Sequence, residues 1–513
     1  MTIVYTYLGV HLRYPLLDEV NQLLVMSFVV VGLLTVLYTF PARDLRLTCK
    51  TAVHVVAGVF AALAGDFFTL LVGLELLTFS AYFLLVHRAD SERAAVGYRY
   101  IGFHISAAAL FFVGMAIQYS DTGSLQLARA VPSAAPYFVA AFAIKAVFFP
   151  LHIWLVDAYP RAPVFAVPAL SVFTTKMGVY AIARIAGGPL VAYIGGATAI
   201  LGVLGALRQS NARRLLSYHI VSQVGYMVAG AALATQAGIA AGMFHAVNNI
   251  VYKTLLFMVA GAVFFTVGHD DLTRLGGLVR RMPVTFAGSV VGSAAIAGVP
   301  LFAGYASKEL LKSATGYTPL TYMLLVAALG TALSFLKFTF YMFVGERGPV
   351  QPESGPTDER TAGNHAPPEA EAGADAEAGS GRGGWGRRNC ARGRSEAPWT
   401  MLAPIGVLSA LSILFGVRPQ LAVPGTTYGI YSLSSLWVSV LPLLAALVVW
   451  TFARRLVRPH EHHESDLLVE MRTIGRRGLR ALERALAFSH QHPFQVYLFL
   501  VTLCFVALAA IAL

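Results

Sequence analysis

Long apolar runs separated by short polar breaks follow one another along almost the whole chain, and they constrain its fold more than any other feature. A helix needs about 20 apolar residues to cross the hydrocarbon core of a bilayer. The runs are continuous rather than alternating with a period of two, which argues against a β-barrel. They predict an all-α integral membrane protein with about fourteen transmembrane segments. The predicted segments are 22–40, 51–66, 67–86, 97–119, 136–156, 164–186, 189–206, 218–234, 240–267, 283–306, 318–346, 400–416, 431–453 and 494–513.

Composition supports this fold class and excludes others. Hydrophobic residues make up 57% of the chain and charged residues only 12%, whereas an average soluble domain carries about 25% charged residues. A soluble enzyme, a nucleic-acid-binding protein and a disordered scaffold are therefore excluded as descriptions of the whole chain. The net charge of +12 does not indicate nucleic-acid binding, because the basic residues are spread through short loops between apolar runs.

No cofactor or metal site is indicated. Cys49, Cys390 and Cys504 are far apart and form no CxxC motif, so neither a disulfide framework nor a cysteine-ligated metal is implied. The chain also has no nucleotide-binding loop, flavin fingerprint or set of cluster ligands. We therefore expect no cofactor and no bound metal.

Basic residues predict the orientation of the segments. Every second loop is rich in arginine and lysine, and such loops stay on the cytoplasmic side of a cell membrane. With fourteen segments, both termini then lie outside, and the basic loops face the cytoplasm. The loop at 347–399 is also placed in the cytoplasm, and its proline, glycine, alanine and charge predict disorder. Within 454–493, leucines at helical spacing and a separate row of arginines predict an amphipathic helix on the membrane surface.

Lysines are distributed differently from arginines: the chain has seven lysines and thirty-one arginines. The arginines mark the loops, and Lys50 and Lys312 are also read as loop residues. The other five lysines fall in or at the ends of apolar segments: Lys145, Lys176, Lys253, Lys308 and Lys337. A buried lysine can release its proton, whereas an arginine stays charged at any relevant pH. Because each ionisable residue inside a bilayer costs at least about 2.5–3.5 kcal/mol, five such lysines predict a proton path.

Acidic and polar residues accompany these lysines. Glu75 lies in the middle of a predicted segment, well away from either end. His245, Asn249 and Lys253 follow one another at intervals of four residues. A helix places their side chains along one broad side over about 12 Å. We predict that these groups line a water-filled path.

Helix-breaking residues predict two interrupted helices. Pro150 follows Lys145 by five residues, and Gly298 and Pro300 precede Lys308. Non-helical backbone at membrane depth is tolerated only where it is buried in protein or lines water. Interrupted helices at corresponding positions of two halves point to a transport site.

The ten segments between 51 and 346 divide into two units of five. The fourth segment of each unit is interrupted and carries Lys145 or Lys308, and the fifth carries Lys176 or Lys337. Because five is odd, the second unit enters the membrane from the opposite side, and inverted repeats are predicted. The predicted organisation is an N-terminal segment with the first helix (1–50), two repeats (51–187 and 188–346), a disordered loop (347–399), two further helices (400–453), a surface helix (454–493) and an anchor helix (494–513).

The order of these motifs resembles that of the antiporter-like subunits shared by Mrp-type multisubunit sodium/proton antiporters, respiratory complex I and membrane-bound hydrogenases. The stretches that carry the resemblance are GDFFTLLVGLELL (65–77), KAVFFPLHIWLVDAYPRAP (145–163), TKMGVYAIAR (175–184), RRLLSYHIVSQVGYMVAG (213–230), HAVNNIVYKTLLFMVAG (245–261) and GVPLFAGYASKELL (298–311). Val156 and Tyr159 depart from it, since they stand where the family usually has proline and histidine.

The resemblance implies a fold of paired inverted five-helix units and a set of roles. The implied roles are Glu75 pairing with Lys145, Lys176 as a bridge, His245 and Lys253 as the central relay, Lys308 as the terminal lysine, and Lys337 at the matching position of the second unit. It also implies other membrane subunits of a hetero-oligomeric antiporter or complex I-like assembly as partners, with protons and sodium as the ions. The chain is then a transporter subunit rather than a self-contained enzyme.

Sodium/proton antiport is the preferred interpretation, and three alternatives stay open. The first is a proton-pumping subunit of a redox complex. The second is a passive assembly anchor. The third is a haem- or quinone-binding membrane enzyme, which would give the lysines and Glu75 no role. The histidines available for that third function are His54, His104, His152, His219 and His245.

Overall fold

The computed structural model describes residues 3–7, 10–316, 318–346, 396–421 and 431–459. The described residues exclude most of the predicted disordered loop at 347–399 and most of the predicted surface helix at 454–493. They also exclude the whole of the predicted anchor helix at 494–513. Within them, the only sheet is an antiparallel hairpin of β1 (Ile3–Tyr7) and β2 (Val10–Tyr14), which the sequence analysis did not predict.

Four helices open the bundle: α1 (Gln22–Tyr38), α2 (Leu45–Ala62), α3 (Phe67–Leu85) and α4 (Ser91–Thr122). An aspartate precedes each of the last three. The carboxylates of Asp44, Asp66 and Asp90 each accept a hydrogen bond from the backbone N–H three residues on. Such N-caps satisfy a donor that the first helical turn leaves unpaired. Asp66 therefore has a structural role at the start of α3.

Two interrupted helices follow. The first consists of α5 (Ala135–Lys145) and α6 (Ile153–Ala158), so the interruption predicted from Pro150 is confirmed. The second consists of α7 (Val167–Leu170) and α8 (Thr174–Arg184), which a short 3-10 turn at Tyr159–Arg161 precedes. The sequence analysis treated this second element as one continuous segment, because residues 171–173 contain neither glycine nor proline.

The next helices are α9 (Pro189–Leu207), α10 (Ala212–Ala231), α11 (Gln236–Val267), α12 (Pro283–Ala297), α13 (Ala303–Thr315) and α14 (Pro319–Thr339), with a π-helical turn at Phe340–Val344. The gap between α12 and α13 confirms the predicted interruption. However, α13 continues to Thr315, so the interpretation of Lys312 as a loop residue is wrong. Lys50 is also helical, because α2 begins at Leu45. In both places the helix includes polar residues that the search for apolar runs had excluded.

The described part ends with α15 (Trp399–Val417) and α16 (Leu433–Val457). Nine helices in the described ranges are long and apolar enough to cross a membrane, which supports a multi-pass membrane protein. Among them α11 is the most enclosed, since 89% of its most apolar stretch is buried. It packs against α1, α10, α12, α13 and α15. The polar side chains of α11 therefore face protein rather than lipid.

A glycine allows close packing at the third interruption. A Cβ atom built on Gly304 would lie 1.8 Å from the carbonyl oxygen of Ala295. Any side chain at this position would therefore force α13 away from α12. Gly298, at the end of α12, has a left-handed φ of +86°, a conformation that glycine adopts without steric cost. Together these glycines set the geometry of the interruption.

Candidate functional site

Glu75 on α3 and Lys145 at the end of α5 lie side by side. The Nζ atom of Lys145 is 3.5 Å from Oε1 of Glu75 and donates a 3.2 Å hydrogen bond to the hydroxyl of Thr78. The Nδ1 atom of His104 is 3.5 Å from the same nitrogen. Lys145 is 1% exposed, and the side chain of Glu75 is 22% exposed. The carboxylate is thus the more accessible member of the pair.

The interruption after α5 fixes the position of Lys145, the last residue of that helix. The final carbonyls of a helix lack partners within it and carry a partial negative charge that favours cations. The indole Nε1 of Trp154 donates 3.0 Å to the carbonyl of Ile144 and satisfies one of these groups. The ammonium of Lys145 remains directed at the cluster around Glu75.

Lys176 and Lys308 each donate to a carbonyl at an interruption. Lys176 Nζ lies 2.7 Å from the carbonyl oxygen of Ser171, the C-cap residue that directly follows α7. Lys308 Nζ lies 2.7 Å from the carbonyl oxygen of Ile296 and 3.3 Å from that of Ala297, the last two residues of α12. Each of these two interruptions therefore supplies the acceptor for a lysine.

Lys337 also donates to a carbonyl at a helix end, but this helix end is not an interruption. Its Nζ atom donates 2.8 Å to the carbonyl of Leu207, the last residue of α9. Arg208 follows directly, so Lys337 lies towards the end of the bundle that carries this basic loop. The use of helix-terminal carbonyls by three of the five lysines was not predicted from the sequence.

Lys253 is the one lysine of the five whose ammonium group has no hydrogen-bond acceptor among the described residues. It is fully buried on the central helix α11. The nearest aromatic contact is the ring of Phe335, with its centroid 5.7 Å from the nitrogen. Both polar atoms of the Asn249 side chain and the Nε2 atom of His245 also lack a partner in the described part. These atoms form a buried polar row along α11.

Interactions between charges connect this row to neighbouring helices. His245 lies within electrostatic reach of Lys176 and Lys308, and Lys253 lies within reach of Lys176. His219 on α10 lies within reach of Lys253 and Lys308. The structure thus brings together groups from α8, α10, α11 and α13. No interaction of Lys337 with this cluster occurs among the described residues.

Serine hydroxyls pair with three buried histidines, which the sequence analysis missed. The ring of His54 lies 2.8 Å from the Ser80 hydroxyl. His219 and Ser334 are 2.7 Å apart, and His245 and Ser307 are 2.9 Å apart. Each serine lies on a different helix from its histidine, so only the folded structure reveals the pairs. In the sequence, the one sign of such a pair is a serine within an apolar run.

A second ion pair adjoins Lys308 and was also missed. Lys312 pairs with Glu309, and both side chains contact the hydroxyl of Ser439 on α16. A cavity next to this cluster is lined by Lys308, Lys312, Ser439 and Tyr226, among others. Recognising that α13 continues past residue 306 would have placed Glu309 and Lys312 one turn apart.

An ion pair ties Asp18, which precedes the first membrane segment, to the last residue of α8. Arg184 pairs with both carboxylate oxygens of Asp18. Burial raises the pKa of Asp18, but hydrogen bonds and charge attraction from Arg184, with the backbone N–H groups of Val20 and Asn21, lower it overall. The pair therefore stabilises the folded position of this segment.

Comparisons with known proteins agree with this architecture. A family model described as "NADH:quinone oxidoreductase/Mrp antiporter, TM" matches residues 64–334. A D-type Na(+)/H(+) antiporter subunit from Alkalihalophilus pseudofirmus is 33% identical over 318 residues, which cover 57% of this chain and 64% of the relative. The D-type subunit from Bacillus subtilis is 29% identical over 360 residues, covering 64% of this chain and 73% of the relative. The chain thus spans about two thirds of the length of these curated relatives.

Two solved structures share the fold. One is the Mrp complex from Dietzia sp. DQ12-45-1b, with a TM-score of 0.69, 23% identity and 88% of each chain covered. The other is the membrane-bound sulfane sulfur reductase, an archaeal respiratory membrane complex, with a TM-score of 0.68 and 22% identity, covering 99% of this chain and 92% of that one. The family resemblance seen in the sequence is confirmed. The family model matches more than half of the residues of this chain, so the chain belongs to the NADH:quinone oxidoreductase/Mrp antiporter transmembrane family.

Proposed function

We propose that this chain is the proton-translocating subunit of a multisubunit cation/proton antiporter, with sodium as the exchanged cation. The observation that carries the proposal is the set of buried lysines held on helix-terminal carbonyls around the central helix α11. A lysine is the cation that can release its proton at such a site. The names of the relatives from Alkalihalophilus pseudofirmus and Bacillus subtilis support antiport and sodium.

In this proposal the residues act in sequence. Glu75 and Lys145 form the ion pair that controls the first transfer, and Lys176 passes the proton to His245 and Lys253. Lys308 is the terminal site beside the cavity lined by Tyr226 and Ser439. Lys337, at the basic-loop end, exchanges protons with that side of the bundle.

Water completes the path between these side chains. Buried polar groups are almost always hydrogen-bonded, to protein or to water. The unpartnered atoms of Asn249, Lys253 and His245 lie on α11, and the Gln223 side chain accepts a hydrogen bond from Tyr252 of the same helix. We expect water to bridge these groups and to carry protons between lysines that do not touch.

Two inverted five-helix repeats, within a bundle of fourteen crossings, are part of the proposal. α4 and α11 are both 32 residues long and both end at a glycine with positive φ. Asp66 caps α3 and forms an isolated bridge with Gln126, which follows α4. Asn211 caps α10 and forms the matching bridge with Asp271, which follows α11. These correspondences support repeats at 51–187 and 188–346.

Location and partners follow from the same proposal. The chain is a multi-pass protein of the cell membrane, with both termini outside and with the basic loops and the loop at 347–399 in the cytoplasm. It works with other membrane subunits of a hetero-oligomeric antiporter, because the relatives from Alkalihalophilus pseudofirmus and Bacillus subtilis are named as antiporter subunits. The remaining domain boundaries are those predicted from the sequence.

Replacing Lys176 tests the proposal. Lys176→Arg keeps the positive charge at the end of α7 but cannot release a proton at any relevant pH. Lys176→Met removes the charge. In everted vesicles that contain all subunits, we expect both variants to lose sodium-dependent dissipation of the proton gradient, while the subunits still copurify. Arg274→Met, in an exposed loop, is the control and should exchange ions normally.

Normal exchange in Lys176→Arg with full assembly would reject the relay and favour a passive anchor. Identifying the copurified subunits separates the alternative in the same family. Redox subunits would point to a proton pump of a complex I-like assembly, and antiporter subunits would support the function proposed here.

A further inference from the structure

A basic pocket lies at the surface end of α2 and α3, remote from the lysine cluster. It has a volume of about 420 Å³. Its lining residues are Arg43, Asp44, Leu45, Arg46, Lys50, His87 and Arg88. Four of these carry a positive charge and only one carries a negative charge, so the pocket favours an anion.

The single carboxylate of the pocket is already engaged. Asp44 accepts a 2.9 Å hydrogen bond from Nε2 of His87 and forms a 3.0 Å ion pair with Arg88. Lys50 donates 3.0 Å to the carbonyl of Phe83 at the end of α3. Arg43 and Arg46 are exposed and have no ion pair among the described residues. Two guanidinium groups therefore remain available to a ligand.

The backbone at the rim of the pocket is strained. Arg43 and Arg88 both have left-handed φ values, +50° and +51°. This conformation is unfavourable for a residue with a side chain, because Cβ comes too close to the following carbonyl oxygen. Such strain persists where the surrounding structure holds it, and it is common at ligand sites. Here it brings arginine side chains from two separate loops to one pocket.

An apolar strip continues from the pocket along the outside of both helices. Its exposed residues are Leu45, Val53 and Val56 on α2, and Leu76, Phe79 and Phe83 on α3. Their spacing of three, four or eight residues keeps them on one face of each helix. From Leu45 to Val56 the helix rises about 16 Å, close to half the hydrocarbon thickness of about 30 Å. The strip thus matches the length of one acyl chain in a single leaflet.

We propose that this pocket binds the headgroup of an anionic phospholipid, whose acyl chains lie along the strip. Arginine binds phosphate through two parallel hydrogen bonds, and basic pockets between membrane helices suit anionic headgroups. A free phosphate would use the pocket but not the strip. An amphiphile with a phosphate at the surface and apolar chains below uses both. This inference does not depend on the proposed ion transport.

Cys49 offers a probe at the right place. It is exposed on α2, four residues from both Leu45 and Val53. In the full chain, with Cys390 and Cys504 replaced by serine, a fluorophore on Cys49 is reconstituted into phosphatidylcholine vesicles. Phosphatidylglycerol with brominated acyl chains is then titrated in and compared with brominated phosphatidylcholine. We expect half-maximal quenching at a mole fraction lower by on the order of tenfold for phosphatidylglycerol, since each basic residue near the surface adds attraction.

Matched variants separate the pocket from general charge. Arg43→Gln with Arg46→Gln should make the two lipids quench equally. Arg274→Gln with Arg280→Gln removes the same charge from exposed positions elsewhere and should keep the preference. A preference retained by the first pair, or lost equally by the control pair, would overturn the proposal.

The unaltered chain gives two further decisive results. Equal quenching by brominated phosphatidylglycerol and brominated phosphatidylcholine would mean that only unselective boundary lipid contacts the strip. That result would refute the proposal. A large excess of inorganic phosphate should leave the preference in place. If phosphate abolished the preference, the pocket would be a small-anion site rather than a lipid site.

Discussion

Replacing Glu75 by glutamine removes the carboxylate beside the Lys145 ammonium and leaves the size of the side chain almost unchanged. At the observed separation of 3.5 Å, the attraction between the two charges is about 5 kcal/mol at an effective dielectric constant of 20. The remaining contacts of the ammonium are the hydroxyl of Thr78 and the ring of His104. A buried charge that loses its opposite charge is strongly destabilised. The variant should therefore be unable to repeat the first transfer of the relay.

Sodium-dependent exchange in everted vesicles measures this effect, with a pH-sensitive dye inside the vesicles. Each 1.36 kcal/mol is a factor of ten in a protonation equilibrium, so losing about 5 kcal/mol of attraction shifts Lys145 towards its uncharged form by more than a thousandfold. Exchange should fall below detection while the partner subunits still copurify. Glu19→Gln neutralises an exposed carboxylate ahead of α1 and serves as the control.

An outcome that refutes this reasoning is equally clear. If Glu75→Gln exchanged sodium and protons at the normal rate in a fully assembled complex, the ion pair would have only a structural role. The relay would then have to begin at another residue.

Three further predictions address other parts of the structure. Gly304→Ala should separate α12 from α13, because the new methyl group would meet the carbonyl of Ala295. Thermal unfolding should show a decrease of several degrees in Tm, and an unchanged Tm would contradict the packing described. Lys337→Arg keeps a cation at the end of α9 but cannot release a proton. Exchange should slow at least tenfold, and an unchanged rate would leave Lys337 a structural role. Asp18→Asn should lower the free energy of unfolding by about 1 kcal/mol by removing the ion pair with Arg184. Because the folded pKa of Asp18 is lowered, its contribution is present above the ordinary value of 3.8 and is lost as the pH falls through the folded value. The variant should therefore lack this part of the acid sensitivity when unfolding is measured against pH.

Local sequence signals were sufficient for some interruptions and not for others. Pro150 removes a backbone donor and clashes with the preceding turn, so the interruption after Lys145 was predictable. The interruption at 171–173 contains no such residue. Lys176 and Tyr159 donate to the carbonyls of Ser171 and Leu170, which the interruption leaves without helical partners. These contacts come from the folded bundle. A search for breakers could not find them.

The candidate site was predictable in its membership but not in its contacts. An ionisable residue inside an apolar run lies at membrane depth, and this rule identified Glu75, Lys145 and Lys253. The acceptor of Lys337 is the carbonyl of Leu207, 130 residues away in the chain. Every peptide unit has a carbonyl, so no residue type marks the one that a distant lysine will use.

A lysine that contacts only helix-end carbonyls and a lysine that also pairs with a carboxylate hold a proton with different strength. The C-terminus of a helix carries about half a negative charge and stabilises a nearby cation by up to about 2 kcal/mol. The carboxylate of Glu75 stabilises a charged Lys145 by about 5 kcal/mol at the observed distance. The ammonium groups of Lys176 and Lys308 donate to carbonyls at helix ends, so we expect these two lysines to release a proton at lower cost than Lys145. In the proposed relay, the Glu75–Lys145 pair would therefore determine when a proton moves, and the lysines on helix-end carbonyls would determine where it goes. For Lys176 and Lys308 the interruptions and the lysines coincide for a physical reason, because each interruption exposes at membrane depth the carbonyl to which the lysine donates.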